Sequence, residues 1–227
     1  MSASLTSICR AASNPQRLAR KAITDPALLP HILQGLEAER VRVKYGCAKA
    51  LRLISEQRPG VLYRYFDFFA RLLGHENRIF RWAATFVLSQ LARVDVRDKF
   101  AAIFRDYFAP ISGPVMITAA NVIVGGARLA QAKPALADRI ATEILKVGRA
   151  RYQTPECRNV AIGHAVVALG NMLPFLHDPA PAVRFVRRAR RNPRGATRKK
   201  AELFLQSKKR GCEPPRLRYA APAAASN

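Results

Sequence analysis

Apolar residues recur along this chain at helical spacing, and the stripes they make are cut by turn signals at intervals. Leu62, Tyr65, Phe66, Phe69 and Leu73 fall at i, i+3, i+4, i+7 and i+11, the rhythm of one buried helix face. Phe80, Ala84, Val87, Leu88 and Leu91 repeat that rhythm one helix later. Between the stripes stand Asn14-Pro15, Asp25-Pro26, Arg58-Pro59-Gly60, Pro110 to Pro114, Pro134, Thr154-Pro155 and Asn192-Pro193. Asn or Asp before Pro caps a helix and supplies its first residue, and Pro-Gly ends one. The punctuation predicts a short basic helix at 16–23, then five helical hairpins. Their paired helices lie at about 26–38 and 40–57, 61–73 and 78–92, 96–108 and 115–131, 135–147 and 156–173, and 181–191 and 195–207.

The second helix of each pair opens on one pattern. It reads small or apolar, usually basic, two free positions, small, two free positions, then an adjacent apolar or small pair. Copies begin at Val43, Phe80, Val115, Cys157 and Thr197, in steps of 37, 35, 42 and 40 residues. The basic slot holds Lys44, Arg81, Met116, Arg158 and Arg198, and the small slot Cys47, Ala84, Ala119, Ala161 and Ala201. This period fits a helical hairpin that buries its apolar side against the next. Gly125-Gly126 lies inside a predicted helix, where each Gly costs about 1 kcal/mol relative to Ala. A close neighbour or a kink is its expected reason.

The repeat resembles the HEAT family of α-solenoids. The likeness rests on Val43-Lys44-Tyr45-Gly46-Cys47-Ala48-Lys49-Ala50-Leu51 and Phe80-Arg81-Trp82-Ala83-Ala84-Thr85-Phe86-Val87-Leu88, with Asp178-Pro179 before Val183-Arg184 as a turn feature. It covers about residues 26–207. It implies an all-α fold, a right-handed α–α superhelix of the HEAT or armadillo type, preceded by a cap at 1–25. Residues 208–227, rich in Pro, Ala and basic residues, are expected to be a disordered tail. In that family the second helices line the concave face, and the basic slot pairs with an acidic turn residue of an adjacent repeat. Glu39, Glu76 and Glu156 precede three copies, so the slot residues Lys44, Arg81 and Arg158 have two readings, internal ladder or ligand contact. No acidic residue separates Arg184 from Arg198, which favours contact for Arg198.

Charge sharpens the picture. The chain of 227 residues carries 39 Lys and Arg against 15 Asp and Glu, a net +24. Arg184, Arg187, Arg188 and Arg191 share one helix face at i, i+3, i+4 and i+7, and Arg198, Lys199 and Lys200 follow. Like charges so placed repel by a few tenths of a kcal/mol per pair. A field of this sign favours polyanions. Lys44, Arg81, Arg158, Arg184, Arg187, Arg188, Arg191, Arg198 and Lys199 are therefore the candidate contacts to nucleic acid, made to phosphate without reading sequence. Tyr45 and Trp82, each following a basic slot, are candidates for base stacking. An acidic protein partner held by the inner helices is the alternative from another class.

Catalysis has little support. His31, His75, His164 and His177 are dispersed, and neither metal-ligand spacing, a nucleophile elbow nor a phosphate loop is present. The chain is thus expected to be non-enzymatic, without cofactor, metal or small-molecule substrate. Size, repeat number and charge resemble HEAT-like alkylpurine DNA glycosylases, which are expected to use concave Trp residues and an Asp. Here there is one Trp and no Asp in the second-helix segments before residue 174, so those positions have no counterparts. The four cysteines, Cys9, Cys47, Cys157 and Cys212, form no C-x-x-C pair, and Cys47 and Cys157 stand at repeat positions of small or apolar residues. With no evident signal peptide and no long apolar run, a reducing, cytoplasmic setting is expected. Lys208-Lys209-Arg210 also fits a nuclear-import signal should the cell have a nucleus.

Overall fold

The computed structural model describes residues 11–209. The expected tail beyond Lys209 and the first ten residues lie outside them. Among the described residues there are α-helices, 3-10 turns and loops, and no strand. The chain divides between Ile103 and Phe104 into two compact units.

In the first unit, α1 (Pro15–Thr24) begins where the Asn14 side chain accepts from the Arg17 N–H. Asp25 then accepts from the Ala27 N–H and starts a 3-10 turn, Pro26–Leu28, that leads into α2 (Leu29–Gln34). The sequence predicts one helix at 26–38, and the chain instead makes a short α-helix between two 3-10 turns. Pro26 and Pro30 each lack an N–H donor, so the regular ladder has gaps at both places. After α3 (Val41–Gln57), Pro59 starts the short α4 (Pro59–Leu62), and a 3-10 turn leads to α5 (Phe66–Leu72). Next comes α6 (Arg78–Leu91), capped by the Asn77 carboxamide, which accepts from the Ile79 N–H.

α1 packs on α3, α3 on α6, and α5 on α6. Leu18, Leu29, Ile32, Leu51, Ile54, Leu62, Phe69, Val87 and Leu88 are buried between them. Gly46 marks a close approach, because a Cβ there would lie 2.1 Å from the Ala12 carbonyl oxygen.

α7 (Lys99–Phe108) starts three residues later than the apolar rhythm predicts. The Asp95 carboxylate accepts from the Lys99 and Phe100 N–H groups and from the Tyr63 hydroxyl, which fixes the helix start beyond Val96. Val96 is left 89% exposed.

The second unit contains α8 (Met116–Ala132), α9 (Ala137–Leu145), α10 (Pro155–Met172), α11 (Ala180–Ala189) and α12 (Gly195–Lys209). α8 packs on α10 and α10 on α12, while α9 and α11 pack against these second helices. For Gly126, the second of the Gly pair in α8, close neighbours are the reason. A Cβ on Gly126 would stand 3.1 Å from Phe108 and 3.2 Å from Ile140.

Bonds between successive repeats run inside each unit. Their partners lie 32 to 41 residues apart, close to the repeat period. Arg93 donates to the Glu56 carbonyl, and Lys99 pairs with Asp67 at 2.6 Å. In the second unit Tyr152 donates to the Ile111 carbonyl, and the Asp138 carboxylate accepts the His177 and Asp178 N–H groups.

Candidate functional site

α11 is built as a two-faced helix. Ala182, Val183, Phe185, Val186 and Ala189 are buried, whereas Arg184, Arg187 and Arg188 are exposed, as are Arg190 and Arg191 in the turn that follows; the sequence puts Arg191 on the helix, but the helix ends at Ala189. Its start is fixed by the Asp178 carboxylate, which accepts from the Ala180 N–H. Asp138 anchors the preceding turn, as above. Arg187 and Arg188 occupy the last turn, where positive charge complements the helix dipole. None of the ion pairs among the described residues engages an arginine of this face.

The turn from α11 to α12 is fastened to α10. Asn192 is buried, accepts from the Arg194 N–H and donates to the Asn159 side chain at 3.1 Å. Thr197 donates to the Asn159 carbonyl, and Arg194 forms an ion pair with Glu156. That pair holds the Glu156 carboxyl below the ordinary glutamate range, with a further hydrogen bond from Asn159. Glu156 is thus spent on Arg194, a residue of the next repeat, and not on Arg158 in the basic slot beside it.

The basic slots do something other than pair with acids. Arg81 donates to the His75 and Glu76 carbonyls, at 2.7 and 3.3 Å. Arg198 donates to the Asn192 and Pro193 carbonyls, at 2.9 and 2.8 Å. Both guanidinium groups therefore fold back one turn and cap the carbonyls of the loop that opens their own helix. Arg198 remains exposed beyond that bond. Lys44 lies 5.7 Å from the centre of the Phe80 ring in the next repeat, a cation–π contact. Arg158 and Lys199 are exposed.

Of the stacking candidates, Tyr45 is 42% exposed on α3, and Trp82 is half-buried on α6. Also in the first unit, Arg52 stacks on the Phe86 ring at 4.1 Å. Cys47 is fully buried as a small core residue, while Cys157 is half-buried at the start of α10. The described residues contain no cluster suited to a metal ion, and no helix among them is long and apolar enough to cross a membrane.

Two charged or titratable groups outside the predicted set stand out at the α10–α12 contact. His164 and Lys200 are half-buried there, beside Arg194. Burial, then the charges of Lys200 and Arg194, push the His164 imidazole down to about 4. Burial and Arg194 likewise lower the Lys200 ammonium. The repeat pattern carries a signal for both. His164 fills a slot that holds Ala50, Val87, Val122 and Phe204 in the other copies, all buried. Lys200 fills a slot that holds Gly46, Ala83, Thr118 and Val160.

No protein-family model matches this chain, and no curated protein does. Solved structures do match. A designed armadillo repeat protein, YIII(Dq)4CqI, aligns with TM-score 0.58 and 13% identity over 89% of this chain and 91% of its own. A second, YIII(Dq.V1)4CPAF, described in complex with the peptide (KR)4, gives TM-score 0.53 and 14% identity over 89% and 90%. An engineered protein from the Northeast Structural Genomics Consortium gives 0.55 and 15% over 92% and 90%. The chain has an all-α helical-repeat fold of the armadillo/HEAT type.

Proposed function

We propose that this protein is a non-enzymatic binding protein whose ligand is a polyanion, DNA or RNA held by its phosphates on the basic face of α11 and the start of α12. The observation that carries the reading is the arginine face itself. Arg184, Arg187, Arg188, Arg190 and Arg191 are exposed, while Asp178 accepts from the Ala180 N–H at the helix start, Glu156 pairs with Arg194 and Asp138 holds a backbone turn. Guanidinium groups in such a row repel one another, and bound phosphates relieve that repulsion while releasing counterions. Arg is suited to the task because its planar fork binds phosphate oxygens two at a time. Lys44, Arg81, Arg158, Arg198 and Lys199 add positive charge in their respective units, and Tyr45 offers an exposed ring in the first.

The test is fluorescence anisotropy with a labelled random 20-base-pair duplex. Affinity is expected to fall by roughly 10³ or more between 50 and 200 mM salt, as for a complex resting on six or more phosphate contacts. Reversing Arg187, Arg188 and Arg191 to Glu abolishes this binding and leaves the helical circular dichroism unchanged. Equal affinity of the triple variant would reduce the α11 face to a solvated surface.

A second reading is a scaffold for an acidic protein segment. It is favoured by the likeness to a designed armadillo protein described with a peptide ligand, (KR)4. That peptide is cationic, and a chain with net charge +24 requires the opposite sign. Binding of a labelled poly-Glu peptide, with no duplex binding at 50 mM salt, would select this reading.

A further inference from the structure

α3 and α6 carry a second basic surface, and this one contains aromatic rings. On α3, Tyr45, Lys49 and Arg52 fall at i, i+4 and i+7 and so share one side of the helix. On α6, Arg78, Trp82 and Phe86 follow one another at four-residue steps. Two contacts set these sides next to each other. Lys44 reaches the Phe80 ring at 5.7 Å near the helix starts, and Arg52 stacks on the Phe86 ring at 4.1 Å further along. Tyr45 and Trp82 fill the same slot of the repeat, so the packing of α3 on α6 brings them side by side.

These rings reach water, whereas Phe66, Phe69, Phe100 and Tyr107 are buried. Tyr45 is 42% exposed, with Val41 exposed one turn before it, and Trp82 and Phe86 are half-buried. The charge around them has one sign. Lys49 and Arg78 are exposed, and the one carboxylate on α3 or α6, Glu56, lies 3.7 Å from Arg52. α11 differs, since it exposes arginines while its one ring, Phe185, is buried.

We propose that the α3–α6 strip binds an unpaired stretch of nucleic acid, its bases stacked on Tyr45 and Trp82 and its phosphates met by Lys49 and Arg78. Cations alone suit any polyanion. Exposed rings set among them add a partner for the flat face of a base, which a duplex keeps covered by its neighbours in the stack. Every base has such a face, so the binding tolerates any sequence. An acidic peptide would match the charge but leave the rings without a stacking partner. The inference rests on the nucleic-acid reading above and adds that a single strand is the ligand in the first unit.

Trp82 is the one tryptophan of the chain, so its emission reports on this strip alone. The full-length protein is titrated at 50 mM salt with a 20-nucleotide oligothymidine and with the random 20-base-pair duplex, reading Trp82 emission and the anisotropy of the labelled nucleic acid. Oligothymidine is expected to quench Trp82. Tyr45→Ala is expected to weaken oligothymidine binding about tenfold and to change duplex affinity by less than about twofold. Tyr45→Phe keeps the ring and should keep the affinity, which separates lost stacking from lost fold. Oligothymidine that fails to bind, or binds with unmoved Trp82 emission and equal affinity for Tyr45→Ala, would overturn the strip, and duplex binding would then leave the α11 face standing. Quenching by oligothymidine in a protein that binds no duplex would keep the strip and overturn the α11 reading. Quenching by poly-Glu and by neither nucleic acid would overturn both.

Discussion

His164 puts a titratable ring where the other copies carry a buried apolar side chain. In a slot built for Ala, Val or Phe, its ring is kept neutral by burial and by the charges of Lys200 and Arg194. The folded-state value of about 4 lies below the ordinary 6.5, so the unfolded chain binds the proton more tightly. Stability from this group is therefore complete above pH 6.5 and is lost as pH falls through 4. The loss is expected to be ~1–3 kcal/mol, discounted for the solvent that reaches the ring. Urea unfolding of the wild type and of His164→Val at several pH values between 7 and 4 reads it. The wild type should lose more stability than the variant across that range, and equal losses would show that the ring is free to protonate in the folded chain. Other residues were harder to place by spacing alone. Arg81 and Arg198 hold the carbonyls of their own turns, a use that the small distance in sequence permits but the repeat pattern does not reveal.

Among the helices, the second of each hairpin was legible to within two residues. α6, α8 and α10 begin and end almost where the apolar stripes and turn signals put them. The first helices were less so. Pro26, Pro30 and Pro59 break the early ladders, and the Asp95 carboxylate moves the start of α7. These shifts depend on which N–H groups find an acceptor, and that is settled by local geometry more than by apolar rhythm. The position of α11 depends on a clasp from another repeat. Asp138 in α9 accepts two N–H groups from the turn at His177 and Asp178, at 3.1 Å each. Asp138→Asn keeps the shape and removes the negative charge, so the unit is expected to lose about 1–2 kcal/mol. A thermal melt checks this, and an unchanged midpoint would show that the turn holds its place without the carboxylate.

Across the molecule, the net charge of +24 acts on folding and on binding in opposite senses. Self-repulsion weakens the compact state at low ionic strength, where the Debye length is about 30 Å at 0.01 M against about 8 Å at 0.15 M. The melting temperature of the free protein should therefore rise between 10 and 150 mM salt, while affinity for the duplex falls. Calorimetry at the two concentrations measures the first trend, and a melting temperature that fell instead would mean that attractive pairs such as Glu156–Arg194 outweigh the repulsion.

The amino-acid order alone settles the all-α class, the hairpin repeat and the surplus of cations. Those properties are written in local spacing, because a helix has a fixed pitch and proline cannot donate. It also places the α11 arginines on one face. It does not say which cations are already engaged. That depends on partners 32 to 41 residues away, brought alongside only when one hairpin packs on the next. Packing commits Arg194 to Glu156, sets His164 beside Lys200, and leaves the arginines of α11 facing water, whereas Arg198 is engaged locally by the loop that opens its own helix.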